Sequence, residues 1–380
     1  MVPQHLFYRR SKMLSLNHTF EEICKAFKLK GEFFGYNVIK SGNINDTYTV
    51  HTDGYEGGRT YLVQRINHNV FHSPEKIISN VCRITDHIRK RMLADGETDI
   101  KRRVLKMYHT PDGQYIYRSE DGSYWRVISY ITNSCTFNSR PTLKVMRNAG
   151  KAFGEFQKNL SDFDASSLYE TIPHFHDTVK RFEDFENSVA LDAAGRVSSV
   201  KEEIDYLRSM ASCAGYFSAL AKEDKISLRV THNDTKCNNV MFDAGTGEPL
   251  AVIDLDTVMP GYAAYDFGDA VRFAANTAAE DEKDLSEVSL DTEMFTQFAS
   301  GFVPQLYGNL NETEISTLSM GALVVTLELS SRFLADYLAG DTYFKTAYDE
   351  HNLVRARCQI QLARDIERKM SVLERIMKQF

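Results

Sequence analysis

Residues 228–256 restrict what this 380-residue chain can fold into more than any other segment. Two short runs of strand-forming residues, 240–242 and 250–253, flank a turn that contains two glycines and a proline. Such a pattern predicts a β-hairpin. Because a hairpin brings its two outer ends together, we expect Asn239 and Asp254 to lie close to each other.

A second carboxylate precedes this hairpin in the sequence His232-Asn-Asp234, and Asn239 follows Asp234 by five positions. This is the spacing of the catalytic loop in the kinase superfamily. Phosphoryl transfer needs a carboxylate that orients the acceptor hydroxyl and oxygen ligands that hold Mg²⁺ against the phosphates. We predict that Asp234 is the base and that Asn239 and Asp254 bind Mg²⁺. Lys236 is then placed to offset charge on the transferred phosphoryl group.

Two nearby aspartates need a different interpretation. Asp266 begins the sequence Asp-Phe-Gly, which is the metal motif of protein kinases, but it lies 32 residues after Asp234 and follows no hairpin strand. We therefore expect Asp266 to hydrogen-bond the backbone of the catalytic loop. Asp256 stays open between a second metal, the substrate and solvation of the strand end. The simplest alternative is that Asp234 and Asn239 only cap a turn.

The rest of the chain divides into a β-rich part and a helical part. Residues 34–66 alternate strand-type runs with turn residues, which predicts an antiparallel meander, and an apolar stripe over 77–88 predicts a helix. We predict an α+β fold with a β-rich lobe at 1–132 and a helical lobe at 133–380. Further candidates are strands at 113–118 and 124–131 and helices at 142–160, 178–190, 200–222, 291–306, 312–338 and 352–379.

Composition restricts the partners and the compartment. The net charge of −7 and the pI of about 5.9 argue against broad binding to nucleic acid or to anionic membranes. We expect no segment to approach the roughly 18 apolar residues of a membrane span, and the N-terminus lacks the apolar core of a signal peptide. The six cysteines include no Cys-x-x-Cys pair and predict reduced thiols. We expect a cytoplasmic monomer.

The chain resembles the superfamily of aminoglycoside phosphotransferases and choline kinases, and the motifs that carry the resemblance are 230–239, 253–261 and 265–269. Within it, the chain is most similar to bacterial N-acetylhexosamine 1-kinases. The resemblance implies a two-lobed, protein-kinase-like fold with ATP and Mg²⁺ in the cleft. It also implies transfer of the γ-phosphoryl group to the anomeric hydroxyl of N-acetylglucosamine or N-acetylgalactosamine. The similarity extends over 41–48, 172–178, 181–185, 279–285, 332–338 and 350–355.

On the acceptor side, the resemblance implies that Arg332 and Tyr343 contact the sugar, together with Asn43, Asp234 and Asp254. Arg332 can instead form an ion pair with a residue four positions away on the same predicted helix, Asp336. The related sugar kinases often carry histidine at the position of Asn43. Asparagine still hydrogen-bonds a sugar hydroxyl or a phosphate but cannot become cationic, which leaves the sugar preference open.

On the nucleotide side, kinases usually place a lysine on the third strand to hold the α- and β-phosphates. This chain has Gln64 there, with Arg65 on the opposite face by strand alternation. Neutralisation of the phosphates then falls to Mg²⁺ and to the backbone of the loop around Gly42. The predicted nucleotide contacts are Gly42, Asn43, Ile44, Asn45, Gln64 and, as the adenine-contacting hinge, Tyr130 and Ile131.

Two other functions stay open. The same chemistry can serve another acceptor, such as an aminoglycoside, choline, homoserine or a different sugar. An amine would favour an acidic acceptor pocket, whereas a sugar favours Asn, Tyr, Arg and aromatic side chains. The absent lysine favours a nucleotide-binding pseudokinase, and the intact catalytic motif opposes it. His174-x-His176 suggests a metal site, but without a third ligand a hydrogen-bonded loop is the preferred interpretation.

Overall fold

The computed structural model describes most of the chain, which divides into two compact units, Met1–Asn133 and Ser134–Phe380. The sequence placed this division between residues 132 and 133. Gly42 and Asn43, which were predicted to contact the nucleotide, lie outside the described residues. The residues that the structure describes are 4–39, 44–54, 57–68, 70–71, 73–137 and 140–380.

A five-stranded antiparallel sheet in the order β1-β2-β3-β5-β4 forms the N-terminal unit. One face of the sheet packs on the last turns of helix α1 through Phe20, Tyr48, Val63 and Trp125. The predicted meander and the predicted helix that follows it are confirmed, but α1, which precedes the sheet, was not predicted. The elements are α1 (Gln4–Ala26), β1 (Glu32–Ile39), β2 (Asp46–Asp53), β3 (Arg59–Ile66), α2 (Pro74–Ala94), α3 (Ile100–Arg103), β4 (Tyr117–Arg118) and β5 (Tyr124–Ser129).

The C-terminal unit is mainly helical, and the predicted helix at 200–222 is divided into three short helices. Helix α9, which contains Asp266, was not predicted. The helices are α4 (Leu143–Asn159), α5 (Thr178–Leu191), α6 (Lys201–Ser209), α7 (Ala211–Ala214), α8 (Tyr216–Lys222), α9 (Ala263–Ala274), α10 (Thr292–Phe302), α11 (Glu312–Ser316), α12 (Leu318–Leu338) and α13 (His351–Met377). The strands are β6 (Ser134–Cys135), β7 (Arg229–Thr231), β8 (Val240–Asp243), β9 (Pro249–Val252) and β10 (Met259–Gly261).

The predicted hairpin is formed by β8 and β9, with Val240 paired to Val252. The Ile253 N–H donates to the Asn239 carbonyl over 2.9 Å and extends the ladder beyond the strands. The two outer ends of the hairpin therefore meet. Strand β6 lies on the other side of β8, and β7 pairs with β10 in a separate two-stranded sheet.

Helix α12 is long and apolar enough by length and composition to cross a membrane, and no other helix of the described residues is. Its most apolar window has a mean hydropathy of 1.3, so the expectation that no segment approaches such a span is wrong. However, 78% of that window is buried inside the protein. Since the core helix of a large helical unit needs the same composition, α12 is a core helix here.

Helices α9 and α12 cross in close contact through two glycines. A Cβ atom added to Gly268 would lie 2.3 Å from the carbonyl oxygen of Gly321. A Cβ atom on Gly321 would lie 2.2 Å from the carbonyl oxygen of Ala264. Both distances are far below van der Waals contact, so only glycine permits this approach. The crossing fixes the position of α9, which carries Asp266 and Asp269.

Candidate active site

Asp234, Lys236 and Asn239 are brought together by the loop between β7 and β8. The Lys236 ammonium lies 2.9 Å from Asp234 Oδ1. The Asn239 amide Nδ2 donates to Asp234 Oδ2 over 3.1 Å and to the Asp234 carbonyl over 2.8 Å. The Asp234 side chain remains about a quarter exposed, at 26%. This carboxylate is therefore held between a cation and an amide and can still meet a substrate.

Lys236 stays charged in this environment. Burial alone would lower the pKa of the Lys236 ammonium, but attraction to Asp234 and Asp269 outweighs burial and raises it. The ammonium also lies 5.6 Å from the ring centroid of Phe273. A positive charge beside Asp234 is the arrangement that a phosphoryl-transfer site requires.

His232 ties the catalytic loop to the hairpin end. The backbone N–H of Asp234 lies 3.2 Å from His232 Nδ1, which must therefore accept. The ring proton is then on Nε2, which donates to the Ile253 carbonyl over 2.9 Å. His232 is thus a neutral tautomer that connects Asp234 with the residue preceding Asp254.

Asp266 and Asp269 hold the catalytic loop from below. The Asp266 carboxylate is fully buried and accepts the backbone N–H of His232 over 2.9 Å and that of Asn233 over 2.7 Å. Asp269 accepts the backbone N–H of Thr235 over 2.8 Å. Asp266 therefore hydrogen-bonds the backbone of this loop, as the sequence predicted. It belongs to α9 and not to the end of the hairpin.

The two carboxylates beneath the loop have opposite pKa shifts. Burial raises the pKa of Asp266, although its hydrogen bonds partly offset this. Burial alone would also raise the pKa of Asp269, but the charges of Arg272 and Lys236 outweigh it and hold that pKa below its ordinary value. Arg272 lies 2.9 Å from Asp269. Asp269 is therefore the carboxylate that is anchored as a charged group.

Asp254 follows β9 in a left-handed backbone conformation, with φ of 58°, and is exposed. Asp256 is buried, and its carbonyl accepts the Thr171 hydroxyl over 3.0 Å. Over the described residues, no cluster of three or more His, Cys, Asp or Glu side chains forms a metal site. The predicted ligands are instead one amide and one carboxylate. Two hard oxygen donors fit Mg²⁺, which usually takes its other ligands from phosphates and water.

Arg332 lies among aromatic rings, and its ion-pair partner differs from the prediction. Its guanidinium is 5.7 Å from the Phe175 ring centroid and 5.9 Å from that of Tyr343. It pairs with Glu328 at 3.7 Å. Helical side chains lean towards the helix N-terminus, and an acidic residue four positions before a basic one is the favoured order. The ion pair with Asp336, which was the alternative to sugar contact, is therefore not the one that the described residues form.

Asp336 instead organises the segment that presents Tyr343. Its carboxylate accepts the backbone N–H groups of Thr342, Tyr343 and Phe344 over 2.8–2.9 Å. The Tyr343 side chain is 67% exposed. A rigid loop thus displays an exposed aromatic ring beside Arg332.

A second arginine, Arg181, lies within electrostatic range of Arg332 and was not predicted. Burial lowers the pKa of Arg181, and the positive charge of Arg332 lowers it further. The buried Nε of Arg181 has no hydrogen-bond partner among the described residues. We call Arg181, Arg332 and the rings of Phe175, Tyr343 and Phe344 the arginine–aromatic cluster.

His174 and His176 do not share a metal site within the described part of the chain. They bind different carboxylates, Asp177 and Glu328, so they form a hydrogen-bonded loop.

In the N-terminal unit, Gln64 is engaged by its neighbours. Its Nε2 donates to Thr47 over 3.0 Å, and its Oε1 accepts the Arg126 Nε over 2.9 Å. Arg126 is only 2% exposed and is a cation that was not predicted. Arg65 is exposed, and its Nε donates to Asp46 over 2.9 Å.

The other residues that were predicted to contact the nucleotide differ in their hydrogen bonds and in their solvent exposure. Asn45 accepts the backbone N–H of Asn67 over 3.0 Å, which ties the β1–β2 turn to the end of β3. Ile44 and Tyr130 are exposed, whereas Ile131 is buried. Contact of these residues with a nucleotide stays a prediction.

Comparison with known proteins agrees with this fold. The model of the APH phosphotransferase enzyme family matches residues 35–289. The chain belongs to this family. Its fold is similar to that of a microcompartment-associated aminopropanol kinase, with a TM-score of 0.56, 14% identity, and coverage of 94% of this chain and 98% of that chain. The protein is therefore a phosphotransferase with a protein-kinase-like α+β fold, as predicted.

Two further solved structures are similar over nearly their whole length. One is an aminoglycoside phosphotransferase from Alicyclobacillus acidocaldarius, with a TM-score of 0.55, 12% identity, and coverage of 90% of this chain and 93% of that chain. The other is a choline kinase from Cryptosporidium parvum, with a TM-score of 0.54, 14% identity, and coverage of 93% and 96%. At these identities, the likeness shows the fold alone.

Proposed function

We propose that this protein is an ATP- and Mg²⁺-dependent kinase that phosphorylates the anomeric hydroxyl of N-acetylglucosamine or N-acetylgalactosamine. The observation that carries this proposal is the arginine–aromatic cluster. The acceptors named for similar structures, choline and aminopropanol, are cations, whereas the two arginines with their carboxylate partners Glu328 and Asp184 leave no net negative charge to attract a cation. A neutral sugar offers hydroxyl and carbonyl oxygens to guanidinium groups and an apolar face to the rings.

In the proposed reaction, Asp234 orients the sugar hydroxyl towards the γ-phosphorus of ATP and accepts its proton. The anomeric hydroxyl is the most acidic hydroxyl of a sugar, which suits a carboxylate base. Lys236 offsets the negative charge on the transferred group. Asn239 and Asp254 hold Mg²⁺, which neutralises the phosphate charge when it is bound.

Two alternatives are separated by specific features. Another neutral acceptor would use the same cluster, so other sugars belong in the test. A pseudokinase would need no base, and the contacts of Asp234 with Lys236 and Asn239 favour catalysis instead. We further propose a cytoplasmic monomer, which the reduced cysteines and the acidic net charge support.

The test is ATP consumption across a panel of sugars and amino alcohols, with ³¹P NMR to locate the phosphorylated carbon. We expect turnover with N-acetylhexosamines and a phosphorus signal coupled to the anomeric proton. Faster turnover with choline, ethanolamine or aminopropanol would overturn the acceptor assignment.

A matched pair of variants tests the cluster itself. Arg332→Gln should raise the KM for the sugar about tenfold or more, because a charged hydrogen bond contributes about 1.5–3 kcal/mol. Arg208→Gln removes an exposed arginine that pairs with Glu186 and should leave KM unchanged. Equal sugar KM values for the two variants would contradict a role for Arg332 in acceptor binding.

A further inference from the structure

His176 bridges α12 and the catalytic loop. Its Nδ1 lies 3.1 Å from one carboxylate oxygen of Glu328 and 3.3 Å from the other. Its Nε2 lies 3.3 Å from the carbonyl oxygen of Asn233. The side chains of His176 and Glu328 are 9% and 2% exposed, so water does not replace these contacts.

Both ring nitrogens of His176 face groups that only accept hydrogen bonds. A carboxylate and a backbone carbonyl have no proton to donate, so each nitrogen must carry one. A neutral imidazole would turn a nitrogen lone pair towards the lone pairs of one of these buried oxygens, which repel it. The geometry therefore requires the doubly protonated imidazolium.

The charges around His176 agree with this protonation state. Burial alone would lower the pKa of His176, but the contact with Glu328 and the charge of Asp269 outweigh burial and raise it above its ordinary value, although Arg332 opposes this. Tyr265 also faces His176, with a distance of 5.2 Å between the ring centroids. Burial raises the pKa of Tyr265 far above neutrality, so it stays uncharged.

The carbonyl that His176 binds belongs to the peptide group between Asn233 and Asp234. The N–H of the same peptide group donates to His232 Nδ1. One histidine thus accepts from the nitrogen of this peptide and the other donates to its oxygen. Asn233 has a left-handed conformation, with φ of 65°, which needs such support. The orientation of this peptide sets the direction in which the Asp234 side chain leaves the backbone.

We propose that protonated His176 is a positioning residue that, together with neutral His232, clamps the Asn233–Asp234 peptide and couples it through Glu328 to Arg332. The proposal rests on the proposed function only in that Asp234 serves as the base. It predicts that phosphoryl transfer is pH-dependent. Because the pKa of His176 is raised, the clamp is complete below the ordinary value of 6.5 and is lost as the pH rises through the folded-state value.

The first experiment measures protonation directly and needs no acceptor. Imidazole ¹⁵N NMR of histidine-labelled full-length protein is recorded from pH 5 to pH 10, and the His176 signals are assigned by their loss in His176→Gln. We expect both nitrogens to be protonated at pH 7. A neutral imidazole at that pH would overturn the proposal whatever the acceptor is, so this failure is distinguishable from failure of the sugar assignment.

The second experiment measures the kcat–pH profile with the best acceptor from the panel. Wild-type kcat should fall on the alkaline side in step with the NMR titration. His176→Gln should lower kcat at pH 7 about tenfold or more, since misplacement of a reacting group by about 1 Å can cost a hundredfold. It should leave the KM for ATP unchanged and lose the alkaline limb. The same limb in His176→Gln would contradict the clamp.

Two further variants complete the test. His174→Gln changes an exposed histidine two residues away, whose imidazole binds Asp177, and should retain the wild-type profile. Glu328→Gln removes the negative charge that holds the His176 proton and should move the alkaline limb to lower pH. If His176→Gln does not fold, the wild-type NMR titration and the Glu328→Gln profile still decide the question.

Discussion

Asp234 and Asp266 both belong to motifs that resemble kinase sequences, yet their carboxylates lie in opposite surroundings. Asp234 is partly exposed and contacts the side chains of Lys236 and Asn239. Asp266 is fully buried and accepts backbone N–H groups. The first can meet a substrate, whereas the second can only support the loop. Position within a motif does not reveal this difference, but solvent exposure does.

Substitution at Asp234 should remove activity without loss of fold. Asp234→Asn keeps the shape of the side chain but cannot accept a proton, and loss of a general base typically lowers the rate about 10²–10⁴-fold. We expect kcat to fall by this amount while the thermal unfolding midpoint stays near that of the wild type. Near wild-type turnover, measured as ATP consumption, would show that another group is the base.

Substitutions of Asp254 and Asp266 should have different effects, the first on Mg²⁺-dependent activity and the second on stability. Asp254→Ala should abolish Mg²⁺-dependent ATP use because it removes a proposed metal ligand. Asp266→Ala leaves two buried backbone N–H groups and the Gln157 side-chain amide unpaired, at a cost of about 1–3 kcal/mol each, and should mainly lower stability. Chemical denaturation and a Mg²⁺ titration of ATP turnover measure the two effects. The reverse pattern would mean that Asp266 is the metal ligand.

At the scale of elements, the crossing of α9 and α12 supports the catalytic loop from behind. Gly268→Ala places a methyl group against the backbone of α12, and overpacking of this kind typically costs about 1–3 kcal/mol. Because α9 carries Asp266 and Asp269, we expect lower stability and lower kcat together. Urea denaturation and turnover measure these effects.

Gly215→Ala is the matched control. A Cβ atom at Gly215 would meet nothing within 4 Å, and this residue has an ordinary negative φ. Stability should be unchanged or higher by about 0.4–1 kcal/mol, because alanine restricts the unfolded chain. If Gly268→Ala behaved like Gly215→Ala, the crossing would not be tight.

Local sequence patterns predicted the hairpin and the meander but not α9. Strands with alternating residues and a Gly-rich turn carry a local signal, and the ends at Asn239 and Asp254 followed from it. Helix α9 is buried on nearly all sides, and its charged residues Asp266, Asp269 and Arg272 are buried instead of facing solvent as they would in an amphipathic surface helix. The neighbouring pair β7 and β10 was missed because its strands are only three residues long.

The contacts that complete the site depend on register and tertiary packing. Arg126 lies opposite Gln64 only because β3 pairs with β5 in a particular register. Arg181 reaches Arg332 only through the packing of two helices that are far apart in sequence. No local pattern contains this information. Arg332 was predicted to contact the sugar, with an ion pair to Asp336 as the alternative. Its partner is Glu328, because spacing alone does not decide between residues four positions before and after.

At the scale of the whole molecule, buried ion pairs should make the fold sensitive to acid. The pKa of Asp269 is held below its ordinary value, and so is that of Asp365, where Lys369 and other hydrogen bonds outweigh burial. A carboxyl group whose folded pKa is depressed stabilises the protein above its unfolded pKa and loses this effect as the pH falls through the folded value. We expect the urea midpoint to fall steadily below about pH 4.

Asp365→Asn tests this expectation away from the catalytic loop. This carboxylate lies 2.6 Å from the Lys369 ammonium and is almost fully buried. The variant should be less stable at pH 7 and should show a weaker dependence on pH between 5 and 3, with kcat per folded molecule unchanged. A pH dependence equal to that of the wild type would mean that this ion pair contributes nothing to acid sensitivity.

The burial of α12 has a consequence for how this protein is inactivated by heat. When the C-terminal unit unfolds, the 21-residue helix α12 becomes exposed to solvent. Exposed apolar segments of this kind aggregate faster than they refold. Heat inactivation should therefore depend on the heating rate and on protein concentration, as expected for an irreversible process. Mild detergent present during cooling should restore activity by covering that segment until the other helices repack around it.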